Sequence, residues 1–446
     1  PSQPIYRKRY GLVIAIIGGG ITGLALALEL ERHGVDYMVL EATDRVGGVI
    51  RSGEVDGRLL EWGPQRARLT PAFGNLVKKL GLEQEIILAP PDLDLLIYRN
   101  GQLRPVPFSF RRFMASDVVG SAAKLRLLLE PLTRGPRRGE RVATYFSRKL
   151  GRETYQTVVG PLFGGLYGSD PADMDVETSL NPLLKQTGVH RSLVLRLLRT
   201  GGRISSAPAC SFRKGMQTLP IALASALGDR LHMQTPVSHL EKSGWGWRVH
   251  LHNGTPIEAS AVVVATNAQG AASVLRSSEA KASALIDQLH HNTLAIVHLD
   301  AETELKGMGF QVAFSQPSMA LRGVTFNDCL FGRTGIYTAF LGGALHPQIE
   351  AMDEDAIGER AVEQFRVTTG NEARVLSVEH FRMPAWDVTW QALTGLMLPD
   401  GLFVAGGWHS RPGLPGRLAE ATRLAQTLTS VSGMPNRRLE TAGPNG

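Results

Sequence analysis

Gly18, Gly20 and Gly23 stand in a G-x-G-x-x-G spacing between the β-branched run Val13-Ile14-Ala15-Ile16-Ile17 and the helix-forming run Leu24-Ala25-Leu26-Ala27-Leu28-Glu29-Leu30. The pattern predicts a strand over 12–17, a helix over 21–33 and a strand over 36–40, a βαβ unit of about 30 residues. Each glycine has its own task there. Gly18 permits the tight turn, Gly20 lets main chain approach a pyrophosphate, and Gly23 lets the helix pack close to the strand. The phosphates then rest on the helix N terminus, with Gly19, Ile21 and Thr22 completing the main chain around them. Glu41 lies 23 residues after Gly18, at the end of the second strand. A carboxylate at that point accepts hydrogen bonds from a ribose diol and repels a 2′-phosphate. The stretch from Tyr10 to Leu28 carries no charge, yet Gly18, Gly19 and Gly20 break it into strand, turn and helix, so it is not expected to span a membrane. No other segment reaches about 18 uncharged apolar residues, and any membrane contact is expected to be peripheral.

A chain of 446 residues, 43% hydrophobic and 20% charged, has enough apolar material for two or three domains and no biased tract, which excludes fibrous and largely disordered classes. Two cysteines, Cys210 and Cys329, are too few for a disulfide framework and too far apart for a CxxC pair, and a reducing, cytoplasmic setting follows as the expectation. The twelve histidines show no metal-ligand spacing, and no metal is expected. Net charge is +7, but residues 99–152 hold thirteen Lys or Arg against three acidic residues. One basic segment on an otherwise slightly acidic chain argues against nucleic acid and leaves two readings, contact with an anionic surface or ligand and a solvated basic face.

Farther along, residues 71–88 read as a helix, and Leu95 to Leu103 as a hairpin about Asn100-Gly101. Helical patterns dominate 106–206. Strand signals return at 231–237, 246–251 and 261–265, then at 294–299, 310–314, 320–326 and 335–341, before a helix over 353–368, a strand at 401–407 and a closing helix at 418–428. The expected division is a discontinuous nucleotide-binding unit (11–88, 207–276, 373–430), a second sheet (89–105, 277–372), a helical insertion (106–206) and a disordered tail (431–446).

The continuation Glu41-Ala42-Thr43-Asp44-Arg45-Val46-Gly47-Gly48-Val49, followed by Glu61-Trp62-Gly63-Pro64-Gln65, resembles the flavin amine oxidase superfamily, in which an acid, Arg-x-Gly-Gly and a Gly-Pro loop succeed one another. Pro236-Val237, the strand Val262-Val263-Val264-Ala265-Thr266, and Leu402 to Leu414 are similar to its adenine-side, "VVxAT" and closing segments. The resemblance implies an α/β fold with a Rossmann-like FAD-binding domain, a discontinuous substrate domain with a mixed sheet, and a helical insertion. It implies FAD contacts at Gly18 to Gly23, Glu41, Ala42, Arg45, Gly47, Gly48, Val49, Gly63, Pro64, Gln65, Val237, Gly406, Gly413 and Leu414. The closing segment contains no cysteine, so the FAD is expected to be noncovalent.

Within that superfamily, Gly164-Gly165-Leu166-Tyr167-Gly168-Ser169-Asp170-Pro171, Ser211 to Pro220, and Gly323-Val324-Thr325-Phe326-Asn327 through Phe331 to Gly343 resemble, in order, motifs of the protoporphyrinogen and coproporphyrinogen oxidases. The resemblance implies FAD-dependent oxidation of a porphyrinogen, with dioxygen as electron acceptor and hydrogen peroxide as by-product in haem synthesis. Phe331, Gly165 and Tyr167 are the implied substrate contacts, and no side chain is needed as a catalytic acid or base because the flavin carries the chemistry. Arg322 and Arg333 are candidate propionate partners, though a surface role is the leading expectation for both. Trp386 is expected near the flavin or in the core, and His290 and His291 at the surface or at a sheet edge. The chain departs from the family at Leu95, where relatives place a substrate-side arginine, at Met383-Pro384-Ala385-Trp386, at Gly406-Gly407 and at Gly416-Arg417-Leu418. Phe108 to Phe113 and Leu125 to Leu132 are expected to lie on anionic lipid. The alternatives are an amine oxidase or carotenoid or squalene-type desaturase on the same scaffold, and a flavoprotein that binds porphyrin without turnover. Oligomeric state is open, a dimer included.

Overall fold

The computed structural model describes residues 13–186, 192–199, 207–244, 246–410 and 413–431. The strand Ile14–Ile17 is buried along its whole length at the centre of a five-stranded parallel sheet. Tyr37–Leu40 and Ala261–Val264 flank it, and Leu231–His232 and Leu402–Val404 form the edges. Strands with apolar side chains on both faces must be covered on both. On one side lie the helices Ile21–Arg32, Thr218–Leu227 and Leu414–Val431, burying Leu24, Leu26, Leu30, Leu223 and Leu424. On the other lie an antiparallel three-stranded sheet (237–259) and the helices Ala268–Leu275 and Ala280–Asp287, around Trp247, Val249 and Ile286.

The second sheet has seven strands, in the order Arg374–Pro384, His291–Asp300, Ile336–Gly342, Leu321–Phe326, Gly309–Val312, Leu95–Arg99 and Gln102–Pro105. Asn100 (φ 50°) and Gly101 (φ 76°) make the tight turn of its terminal hairpin. One face packs Val297, Leu299, Leu321, Tyr337 and Leu341 against Ile357, Ala361 and Phe365 of the helix Glu354–Thr369, which Asp353 caps by accepting from the Ala356 N–H at 2.8 Å. By the two-residue period of a strand, Leu294, Ile296, His298, Gln311, Thr325, Thr338 and Phe340 face the other way, toward the parallel-sheet unit. Helices between Phe110 and Arg199 close the side of that face around Tyr145, Phe146, Phe163 and Val176, joined by Ile97 and Ala313 of the sheet.

Three expectations are corrected. The helix predicted over 71–88 ends at Lys79, and Ile86–Leu88 is a strand paired with Ala209–Phe212, because Leu80-Gly81 stops the helix and the apolar triplet finds a sheet partner. The strand predicted over 231–237 is only Leu231–His232, and a separate strand begins at Val237 after Gln234 takes φ 51°. Arg374–Pro384, assigned from sequence to the nucleotide-binding unit, pairs instead along His291–Asp300 as the edge of the seven-stranded sheet. The expected tail lies outside the described residues apart from Val431, the last residue of the closing helix.

Candidate functional site

Where the first strand of the parallel sheet ends, Gly18 (φ 115°) turns the chain, and a Cβ there would stand 2.9 Å from the Ala265 carbonyl oxygen. Gly23 lies against that turn, and a Cβ on it would come within 2.1 Å of the Gly18 oxygen. Gly20 is different: a Cβ would meet nothing within 4 Å. Of the three motif glycines, two are demanded by the fold and one leaves open space at the mouth of the helix. The helix Ile21–Arg32 begins at Gly20 with no side-chain cap and no acidic residue in its first turn, so its N-terminal dipole is uncompensated by the protein. That combination suits the phosphates of a nucleotide.

The Glu41 carboxylate lies across the same turn. Its Oε2 accepts from Gly19 N at 2.6 Å and its Oε1 from Thr43 N and Oγ1 at 2.9 and 2.7 Å, which holds it at the tip of the sheet with lone pairs remaining for ribose hydroxyls. Beside it, a cleft of about 190 Å³ runs past Leu40, His232, Thr235, Pro236, Leu251 and Ile257, directly before Val237. Gly47 (φ 104°) and Gly48 (φ 58°) bring a second turn against the first, with Gly47 N donating to Gly19 O at 2.9 Å. Arg45 spends its guanidinium on this turn, donating to Gly48 O at 2.7 Å and more weakly to Val46 O and Ile50 O. Ala42 and the Val49 side chain are exposed. Gly63 leaves room for the Val49 carbonyl, which would stand 1.9 Å from a Cβ, so the Gly63-Pro64-Gln65 loop sits on the Gly47-Gly48 turn.

From that loop the chain reaches the second sheet. Gln65 is buried, donates to Glu61 O and Gly63 O, and accepts from Asn327 Nδ2 at 2.9 Å. His298 lies near the Glu61 carbonyl, 2.9 Å from its Nε2, and edge-on to Trp62, whose indole N–H donates to Ser377. Burial pulls His298 down to about 4, so it is neutral near pH 7. Glu61 itself is buried, accepts from Met216 N and Ser52 Oγ, and pairs with Arg333 at 2.8 Å; burial raises its carboxyl above the ordinary range despite that arginine. Arg333 is therefore a buried structural cation, where the sequence suggested a surface residue. Three buried atoms along this seam, His298 Nδ1, Asn327 Oδ1 and Arg333 Nη1, have no partner among the described residues. The seam thus keeps hydrogen-bonding capacity that the chain does not use itself, as a cofactor's polar edge requires.

The closing segment forms the opposite wall. A Cβ on Gly406 would strike Trp408 Nε1 at 2.2 Å, and Trp408 donates to Thr266 O while Trp390 donates to Trp408 O. Trp386 stacks on Trp390 at 5.4 Å, so it belongs to this aromatic wall. Gly413 (φ 85°) and Leu414 start the final helix. Arg417 ties the segment together by donating to Gly407 O at 2.6 Å, Ser410 O at 2.8 Å and Ser410 Oγ at 2.6 Å; burial lowers it to about 10, which leaves it charged. Its role was not legible from sequence, since its carbonyl partners lie seven to eleven residues upstream on a turn that only the fold brings back to it.

The substrate candidates do not converge on one point. Gly165 is exposed and faces Gln311, whose Oε1 would stand 2.8 Å from a Cβ there. Tyr167 is buried against Phe163 and Trp386. Phe331 packs at the other end, with Ala89, Ala209 and Leu330, beneath the Arg333 guanidinium. Between these ends runs the inner face of the seven-stranded sheet. Arg322 also lies inward, over the Phe314 ring at 5.4 Å, again in place of the expected surface role. His290 is exposed before the strand and lies 3.1 Å from Asp387 Oδ2, in accord with a surface role, whereas His291 opens the strand His291–Asp300, which is paired on both sides, and its Nδ1 lies 3.0 Å from Leu289 O. Among the described residues no group of three potential ligands is placed to hold a metal ion.

The sequence profile of the flavin containing amine oxidoreductases matches residues 21–416. Protoporphyrinogen oxidase 1 from chloroplasts of Spinacia oleracea is 28% identical over 390 residues, covering 77% of this chain and 68% of that protein. Coproporphyrinogen III oxidase of Bacillus subtilis (strain 168) is 26% identical over 333 residues, covering 67% of this chain and 70% of the relative. Among solved structures, a provisionally named protoporphyrinogen oxidase from Exiguobacterium sp. 255-15 superposes with a TM-score of 0.76 at 20% identity, over 94% of this chain and 99% of the other, and shares its fold. With a profile match spanning most of the chain and an uncapped helix N terminus that opens on free space at Gly20, the protein belongs to the flavin containing amine oxidoreductase family and is a flavin-dependent oxidoreductase.

Proposed function

We propose that the chain is an FAD-dependent porphyrinogen oxidase that converts protoporphyrinogen IX or coproporphyrinogen III to the porphyrin and passes the electrons to dioxygen, releasing hydrogen peroxide. The observation that carries this reading is the inner face of the seven-stranded sheet. Leu294, Ile296, Thr325, Phe340 and the glycine-flanked Gln311 line it, Phe340 and Gln311 only half-buried, beside a seam of glycine turns. Such a wall suits a broad, flat, largely apolar ring and offers no paired acid and base. The names of the two relatives point the same way.

When bound, the flavin supplies the hydride acceptor. The chain's own residues bind and orient. Gly18 to Gly23 and the helix behind them take the phosphates, Glu41 the ribose, and the Gly47-Gly48 turn with Gly63 to Gln65 the ring end; Arg417 holds the closing segment over it. Cys210 is buried in its strand and Cys329 donates to Leu305 O, so neither stands on that segment, which supports noncovalent FAD.

Among the described residues no helix is long and apolar enough to cross a membrane. Peripheral contact with anionic lipid, on a cytoplasmic face, is part of this reading. It is supported by Phe108, Leu125, Leu128, Leu129 and Leu132, all exposed large apolar side chains, interspersed with exposed Arg111, Arg112, Arg134, Arg137 and Arg138. The deciding experiment mixes flavin-loaded protein anaerobically with each porphyrinogen and follows the oxidised flavin band. Bleaching by one of them, reversed by air with peroxide release, is the expected result. A band unmoved by both porphyrinogens but bleached by a polyamine or a polyene would replace this reading with an amine oxidase or a desaturase.

A further inference from the structure

Arg66 follows the Gly63-Pro64-Gln65 loop and precedes the short strand Ala67–Arg68. Ala67 points into the core of the parallel-sheet unit with Cys210 and Phe212. Alternation therefore turns its neighbours Arg66 and Arg68 to the opposite side, the side on which Ala209 packs with Phe331 and Ser211 meets Arg333. This is one end of the wall described above. Arg66 makes no hydrogen bond and no ion pair with any described residue. Protein surrounds it closely enough to pull it down to about 10, with the like charge of Arg68 adding to the effect, yet part of its surface remains accessible.

Keeping a guanidinium in such a place without a counter-charge is costly, and the cost rises with a second cation alongside. The other cations of the region are already engaged. Arg333 is paired with Glu61, Arg51 with Glu379, and Arg322 donates to Val312 O and Met319 O, with the charge of Asp170 nearby. The apolar wall offers Arg66 no acid. What is missing is an anion supplied from outside, and a planar carboxylate matches the guanidinium fork.

We propose that Arg66 is the carboxylate anchor at this end of the wall, holding the propionate edge of the macrocycle while the rest of the ring lies on the apolar face; Arg68, which donates to Ala207 O at 3.1 Å, adds its charge alongside. The assignment rests on the porphyrinogen reading.

The test is equilibrium binding of protoporphyrin IX and of its dimethyl ester to the flavin-loaded full chain, followed by porphyrin fluorescence. The wild type is expected to bind the diacid at least about tenfold more tightly than the ester, as a charge-assisted hydrogen bond implies. Arg66→Gln should bring the diacid to the affinity of the ester and leave the ester unchanged, and Arg66→Lys should restore part of the preference. Equal affinities in the wild type, a preference that survives Arg66→Gln, or one that Arg322→Gln removes instead would overturn the assignment and leave the porphyrinogen reading in place. If neither porphyrin binds a chain that holds its flavin, the reading itself falls and the assignment with it. Should Arg66→Gln fail to fold, the wild-type comparison and Arg66→Lys decide.

Discussion

At the level of single residues, the three motif glycines are not equivalent. Gly20 borders open space, so Gly20→Ala should unfold at the same temperature as the wild-type apoprotein while its flavin content falls at least about tenfold, since the added methyl occupies the phosphate approach. Gly23→Ala would press a methyl into the Gly18 carbonyl and should cost about 1–3 kcal/mol of stability before any cofactor is added. Thermal unfolding of the apoprotein with flavin absorbance after reconstitution separates the two. His298 offers a pH test. Its folded value is near 4 because burial disfavours the charged ring, against about 6.5 unfolded, so the unfolded chain takes up the extra proton. Stability should therefore be complete above pH 6.5 and fall as pH drops toward 4, by up to about 3 kcal/mol. Urea midpoints across that range should show a slope shallower by one proton in His298→Phe; an unchanged slope would contradict this origin.

Among the elements, the helical insertion is pinned by a charge pair in its own core. Lys149 Nζ and Glu130 Oε1 are 2.7 Å apart with both side chains fully buried, and Glu130 also accepts from Leu193 N at 3.1 Å and from Ser192, fixing the start of the helix Leu193–Arg199. Lys149→Met leaves the carboxylate uncompensated and should cost about 3–5 kcal/mol, whereas Lys149→Met with Glu130→Gln should recover part of it. Denaturant melts of the two variants give the comparison. None of this was legible in the sequence, because Lys149 ends a helix in a basic stretch where a solvated charge is the ordinary reading and its partner lies 19 residues away. Nor was the strand Arg374–Pro384, whose edge position leaves most of its side chains only half-buried and dulls the alternation that marks a strand.

For the whole molecule, the seam between the two sheets matters most. Glu61–Arg333, Gln65–Asn327, Trp62–Ser377 and Arg51–Glu379 all cross it. Arg333→Met should destabilise the protein by about 3–5 kcal/mol at pH 8 and by less at pH 5. The sign follows from Glu61: its folded carboxyl already titrates high through burial, losing the arginine raises it further, and a raised carboxyl costs least where it is protonated. At the outer surface, pelleting with anionic vesicles at moderate salt should fail with neutral vesicles and weaken in Leu129→Asp with Leu132→Asp, both positions being exposed. Pelleting insensitive to salt and to that variant would argue against the lipid contact.

The residue order by itself determined the βαβ start, the glycine turns, the carboxylate of Glu41 at the end of the second strand and the resemblance to flavin enzymes, because each depends on contacts within one strand, turn or helix and so leaves a local spacing. Tertiary structure decided which side chains share a wall. Leu95, Gln311, Leu294 and Phe340 come from separate strands of one sheet, Arg66 is turned to the side of Ala209 and Phe331 only because Ala67 is claimed by the opposite core, and Arg333 is buried only because Glu61 arrives from another unit. Pairings of that kind depend on strand order and on burial, and neither leaves a periodic trace along the chain.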